Sequence, residues 1–287
     1  MFVITGATGH TGKVAAETLL AAGQKVRVLV RNPDKAKDLV GRGADVVVGD
    51  LSDREAVARA FSGARGVYLI SPPDLATNNF LAERKALLET IARGAAAAKV
   101  PHVVFLSSLG AELTSGTGPI VTLHAGEQSL QAAGVPATFL RAGYFVENWA
   151  SVLPVAKQDG VLPSFLPADL ASITVSTRDI GQAAAQALLD GARGSTRLVD
   201  VAGPSEATPK DVAQAVGRIL GREIKVVEAP LEAVVPTFTS FGISAHVAAL
   251  YREMYEAMRK GLITHAPNAE VVRGRQSLEQ TLRPLLG

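Results

Sequence analysis

The sequence predicts an α/β protein built on a Rossmann-type doubly wound parallel sheet, with a smaller C-terminal α/β substrate lobe. Three observations predict it. From residue 1 to about 142, short runs rich in Val, Ile and Leu alternate with longer segments of helical period, which is the pattern of repeated βαβ units. The runs are apolar nearly throughout rather than alternating with polar residues, as strands buried on both faces are. The first run is followed at once by three glycines, in GATGHTG at residues 6–12.

The elements follow in order. The predicted strands are FVIT (2–5), KVRVLV (25–30), ADVVVG (44–49), GVYLIS (66–71), HVVFLS (102–107) and ATFLR (137–141). Between the first two, KVAAETLLAAG reads as a helix stopped at Gly23. Ser52-Asp53-Arg54-Glu55 has the spacing of a capping box and starts the helix after the third strand. Beyond residue 145 the rhythm loosens across Pro154, Pro163 and Pro167. Ser176 to Asp179 then opens a helix, RLVDVAG forms a strand, Thr208-Pro209 starts another helix, and Ser244 to Lys260 is helical with one apolar face. The division expected is a nucleotide-binding domain over 1–150 and a substrate lobe over 151–287, part of which returns to the first domain.

Composition narrows the chemistry. The chain has 287 residues, a net charge of +2 and no cysteine, so disulfides, thiolate nucleophiles and iron–sulfur ligation are excluded. Any redox chemistry has to come from a bound molecule. The five histidines show no close pairing, which argues against zinc. Basic and acidic residues are mixed along the chain, unlike the basic stripe of a nucleic-acid binder. No run approaches the roughly 20 apolar residues needed to span a bilayer. The expectation is a cytoplasmic protein, monomer or homodimer, with a small-molecule partner and neither nucleic acid nor membrane.

The glycines define the first candidate site. Gly6 permits a tight turn, Gly9 lets backbone approach a pyrophosphate, and Gly12 lets the helix lie close to the sheet. With Thr8, His10 and Thr11 they place the amides and positive end of a helix at the phosphates. Arg31 ends the second strand where an NAD-binding fold places a carboxylate. A guanidinium favours the 2′-phosphate of NADP(H), with NAD(H) the alternative nucleotide; a solvated loop arginine is the competing reading. Asp50, with Leu51 beside it, is placed to accept from the adenine amine, or simply enters the next helix. Ser71, Pro72 and Pro73 carry the chain past the ribose, and Ser107 and Ser108 end the fifth strand at the same carboxyl edge. Either serine serves equally well as a cap or turn hydroxyl.

The segments GATGHTG, VRNPDK, GDLSD, YLISPP, FLSSLGA and FLRAGYFVEN, in that order, resemble the NmrA-like branch of the atypical short-chain dehydrogenases/reductases. The C-terminal YREMYEAMRKG is similar to the bacterial triphenylmethane-dye and quinone reductases of that branch. The resemblance implies a Rossmann domain, a small substrate lobe and a nicotinamide nucleotide. Catalytic members of the parent superfamily carry Tyr-x-x-x-Lys, in which the lysine lowers the tyrosine pKa for proton transfer. Here Tyr68, Tyr144, Tyr251 and Tyr255 are followed four residues later by Pro72, Asn148, Tyr255 and Arg259, so the pair is absent. In the corresponding segment, VTLHAGEQSLQ, the polar residues are His124, Glu127 and Gln128, and the resemblance points to His124 as a proton source.

Two functions remain open at this point. One is an NADPH-dependent oxidoreductase passing hydride to a conjugated acceptor, a quinone or dye that needs no dedicated tyrosine acid. The other is a non-catalytic NADP(H) sensor that binds a protein partner. For an acceptor, Tyr144, Phe145 and Trp149 stand after the sixth strand as stacking surfaces, and Phe238 covers them from the C-terminal lobe; aromatics at this spacing also serve as core.

Overall fold

The structure, a computed structural model, describes residues 1–194 and 196–287. The chain runs β1 (Phe2–Thr5), α1 (His10–Ala21), β2 (Val26–Val30), α2 (Lys37–Gly41), β3 (Asp45–Val48), α3 (Arg54–Phe61), β4 (Gly66–Leu69), α4 (Phe80–Ala97), β5 (Val103–Ser108), α5 (Val121–Ala132) and β6 (Ala137–Ala142). It continues through β7 (Tyr144–Phe145), α6 (Leu153–Asp159), β8 (Val161–Ser164), β9 (Thr174–Val175), α7 (Thr177–Asp190), β10 (Thr196–Ala202) and α8 (Pro209–Leu220). The last elements are β11 (Lys225–Glu228), α9 (Val234–Ser240), α10 (Ala245–Arg259), β12 (Glu270–Arg273) and α11 (Leu278–Leu286).

Eight strands form one sheet in the order β12-β10-β6-β5-β4-β1-β2-β3, and every neighbouring pair is parallel. The expected doubly wound parallel sheet is therefore present. Continuous apolar runs are explained by its two covers. Alternate strand residues such as Phe2, Ile4, Val28 and Tyr68 pack on the α1 and α7 side; Val3, Leu29, Val67 and Phe105 pack on the α3, α4 and α5 side. The chain leaves β1 toward β2 and β3, then returns to β4 on the other side of β1 and continues to β5 and β6. The carboxyl ends of β1 and β4 thus flank the crevice where open α/β sheets bind ligands.

The C-terminal half divides. β10, β12 and α7 extend or cover the main sheet. A second core gathers Val146 and Trp149 from the turn after β7, Leu153 from α6, Leu162 from β8, Val212 from α8 and Leu282 from α11. Local signals hold at several helix starts. Ser176 Oγ accepts from the Asp179 amide, Ser244 caps α10, and Thr208 with Asp211 forms a full capping box, each worth about 1 kcal/mol. The expected box at Ser52 is different: Asp53 is the cap, accepting from the Glu55 and Ala56 amides, because Ser52 is already held by Asp50.

Candidate active site

The exits of β1 and β4 are tied by one side chain. Thr5 Oγ1 donates to the Tyr68 carbonyl at 3.0 Å and accepts from the Ile70 amide at 3.0 Å. The glycine loop is pressed against this junction. Gly6 has φ +62°, and a Cβ there would lie 2.1 Å from Ile70 Cδ1. A Cβ on Gly12 would lie 2.3 Å from the Gly6 carbonyl oxygen, so the third glycine lets α1 close onto the loop itself, where closeness to the sheet was expected. Gly9 is the exposed N-cap with extended backbone, and no side chain caps α1. The first intrahelical bond runs from the Lys13 amide to the Gly9 carbonyl at 3.1 Å. The amides of His10, Thr11 and Gly12 therefore have no helical acceptor, and no acidic residue stands in that turn. Thr8 and His10 are exposed. Thr11 is buried, and its hydroxyl accepts from Tyr68 Oη at 3.0 Å; its side chain serves the loop's conformation. Burial pushes the Tyr68 phenol well up.

At the adjacent strand ends, Arg31 is 81% exposed and its Nε lies 3.9 Å from Asp50 Oδ2. Asp50 Oδ1 accepts from the Ser52 amide at 2.9 Å and from the Ser52 hydroxyl at 2.7 Å. The amide bond is the main reason the Asp50 carboxyl sits below its ordinary range, with Arg31 a smaller contributor. Leu51 turns into the core beside α3. Ser71 and Pro72 are half-buried and Pro73 is exposed, and Arg84 Nη1 holds the Pro72 carbonyl at 2.9 Å.

Ser107 does not offer its hydroxyl to the crevice. It donates to Glu127 Oε1 at 2.6 Å, while Arg141 binds Glu127 as a fork, Nε to Oε1 at 2.9 Å and Nη2 to Oε2 at 2.7 Å. Arg141 Nη1 reaches Glu112 Oε2 at 2.8 Å. Ser107, Glu127 and Arg141 are all buried, so α5 is locked to β5 and β6 by a desolvated ion pair. Ser108 donates to the Leu109 carbonyl at 2.9 Å. His124 stands on α5. Its Nδ1 lies 2.8 Å from the Ala111 carbonyl, and the ring lines a groove of about 600 Å³ with Lys85, Glu89, Arg93 and Gln128 from α4 and α5. No glycine-loop residue and no aromatic residue lines that groove.

The four aromatics expected at an acceptor site separate into two pairs. Phe145 packs on the core beneath the main sheet, and Trp149 is buried in the second core, with its edge toward Tyr144 at 6.4 Å. Phe238 instead joins three rings that sequence reading missed, and Tyr144, whose ring packs on the second core beside Trp149, reaches them through its hydroxyl. Phe238 lies 6.1 Å from Phe165, 5.2 Å from Tyr251 and 6.3 Å from Tyr255, and Phe165 lies 5.4 Å from Tyr255. The Tyr144 and Tyr255 hydroxyls are 3.5 Å apart. Burial, then the Tyr255 phenol, pushes Tyr144 well above the ordinary tyrosine range, and burial raises Tyr255 and Tyr251. Arg259 holds this side together by donating to the Phe165 carbonyl from Nε at 3.0 Å and Nη2 at 2.6 Å. Glu147, just beyond β7, takes the Thr177 amide and hydroxyl on Oε1, at 2.8 and 2.5 Å. Its Oε2 is buried without a hydrogen-bond partner.

Tyr144 follows the carboxyl end of β6, and the glycine loop follows that of β1. The two are separated by three strand spacings, or about 14 Å along the sheet edge. Among the described residues no cluster of His, Cys, Asp or Glu could hold a metal, and no helix is long and apolar enough to cross a membrane.

A sequence model of the NmrA-like family matches residues 1–281. The chain belongs to the NmrA-like family. This NmrA-like protein is 33% identical over 234 residues to the (4-alkanoyl-5-oxo-2,5-dihydrofuran-3-yl)methyl phosphate reductase of Streptomyces griseus, covering 81% of this chain and 78% of that protein. It is 27% identical over 258 residues to the NAD(P)H azoreductase of Xenophilus azovorans, covering 89% and 86%. Its fold is similar to that of an NADPH-dependent quinone oxidoreductase from Escherichia coli solved with NADPH, with a TM-score of 0.83, 23% identity and full coverage of both chains.

Proposed function

We propose that this NmrA-like protein is an NAD(P)H-dependent reductase, with NADPH the preferred nucleotide, acting on a conjugated small-molecule acceptor. The observation that carries this reading is the bare helix start at the β1–β4 crevice. Two glycines there leave no room for a Cβ, no side chain caps α1, and its first amides have no helical acceptor at the positive helix end. Such a cradle fits a diphosphate. Related proteins named as a dihydrofuranone phosphate reductase and an azoreductase support the reaction class.

The residues divide the work. Gly6, Thr8, Gly9, His10, Thr11 and Gly12 hold the diphosphate through backbone. Arg31 takes the 2′-phosphate; its long contact with Asp50 is an exposed pair worth at most about 1 kcal/mol, which leaves the guanidinium free to turn. Asp50, held ionised by Ser52, accepts from the adenine amine. Ser71 and Pro72 border the ribose, and the unpartnered Glu147 Oε2 awaits a donor such as a carboxamide or hydroxyl. The bound reduced nucleotide supplies a hydride. Tyr144, Phe165 and Phe238 provide flat apolar surface for the acceptor. His124 lines a separate groove with residues of α4 and α5, and solvent is assigned as the source of the proton.

The test is to mix the protein with NADPH and a panel of naphthoquinones and dyes, and to follow absorbance of the reduced nicotinamide. Acceptor-dependent oxidation is expected. Tight nucleotide binding with no turnover on any acceptor would make the protein a nucleotide sensor instead.

A further inference from the structure

Three of the four tyrosines, Tyr144, Tyr251 and Tyr255, meet in the aromatic cluster. They come from separate stretches, Tyr144 from the carboxyl edge of β6 and the other two from one face of α10, so the chain has folded its phenols together. Tyr144 and Tyr255 present hydroxyls 3.5 Å apart, and either can be the donor. Whichever donates, one O–H proton remains for a third partner. The rings of Phe165 and Phe238 offer no competing acceptor, and Asn148 is the polar side chain within hydrogen-bonding reach of the Tyr144 hydroxyl, which leaves the Tyr255 hydroxyl the freer of the two.

We propose that the Tyr144–Tyr255 phenol pair donates a hydrogen bond to a carbonyl oxygen of the acceptor, and so makes the protein selective for carbonyl-bearing conjugates over cationic dyes. The inference rests on the reductase reading. A quinone that receives a hydride, two electrons and one proton, at one carbonyl oxygen gains an O–H bond as the C–H bond of the reduced nicotinamide breaks, the π pairs shift through the ring, and the other carbonyl oxygen carries the charge of the hydroquinone monoanion. The phenol pair stabilises that oxygen, and solvent supplies the remaining proton to complete the hydroquinone. The nicotinamide is oxidised and the quinone reduced by the same two electrons. A triphenylmethane cation takes hydride at its central carbon and is neutral at once. No oxyanion forms there, and no proton is needed. Differential stabilisation of this kind acts only where charge develops.

The experiment compares wild type with Tyr255→Phe and Tyr144→Phe, each of which keeps its ring. With NADPH, the ratio of kcat/KM for a naphthoquinone to that for a triphenylmethane dye should fall on the order of 10²-fold in Tyr255→Phe. The loss should appear in kcat more than in KM. Infrared spectra of the naphthoquinone bound without nucleotide give a second readout: the carbonyl stretch should be lowered in wild type and return toward its free value in Tyr255→Phe. An unchanged ratio, or a carbonyl frequency indifferent to both substitutions, overturns the proposal. A wild type that oxidises NADPH with neither acceptor defeats the reductase reading, while the infrared shift still decides the phenol contact.

Discussion

The cradle at β1–α1 and the aromatic cluster beside β6 occupy the same sheet edge but are built in opposite ways. The cradle is made of seven consecutive residues, three of them glycine, placed so that backbone can act. The cluster is made of large side chains from positions 144, 165, 238, 251 and 255, and its backbone contributes little. One grips a feature common to every dinucleotide. The other shapes the space for a particular acceptor, so the two halves should respond to different substitutions.

The largest expected effect lies between them. Glu127→Ala leaves buried Arg141 without its fork, and breaking a buried pair in this way costs about 3–5 kcal/mol. Chemical denaturation should show that loss, with the preference for NADPH over NADH retained; a change in that preference would tie the buried Glu127–Arg141 pair to the cradle. Next is an acid effect at the opposite sheet edge. Burial lowers His102 to about 4 from 6.5, so the unfolded chain binds the proton more readily. The stabilisation is complete above pH 6.5 and is lost as pH falls toward 4, amounting to about 3 kcal/mol. His102→Gln should flatten that slope in thermal melts, and neither half of the site should notice.

Arg31→Ala tests the cradle alone. NADPH affinity should drop roughly 10 to 100-fold while NADH affinity barely moves, as read by fluorescence titration. Equal losses would remove the 2′-phosphate assignment. The smallest effect belongs to the cluster: Phe238→Ala removes one aromatic contact with the acceptor, worth about 0.5–1.5 kcal/mol. The acceptor KM should rise severalfold with the NADPH dissociation constant unchanged. A shift in nucleotide affinity would show the two halves to be one.

The same contrast explains what could be read from the chain. The cradle, the six strands before residue 142 and the caps at Ser176, Thr208 and Ser244 are local, set by neighbours a few residues away. The cluster joins residues about a hundred positions apart, and no period announces Phe165 between Pro163 and Pro167. The one available signal was Tyr251 and Tyr255, four apart and therefore on one helix face. Trp149 and Phe145 looked like site residues because aromatics after a strand are visible in sequence, whereas the cores that absorb them are not. Ser107 was likewise legible as a strand-end hydroxyl, but its partner Glu127 lies a helix away.

Titration calorimetry with NADPH on wild type and Gly12→Val tests the central claim most directly. One nucleotide per chain should bind the wild type with measurable heat. Gly12→Val, whose Cβ would fall 2.3 Å from the Gly6 oxygen, should give none while still folding around the aromatic cluster. Equal binding by both proteins, or no heat from either, would contradict a diphosphate held by the first turn of α1.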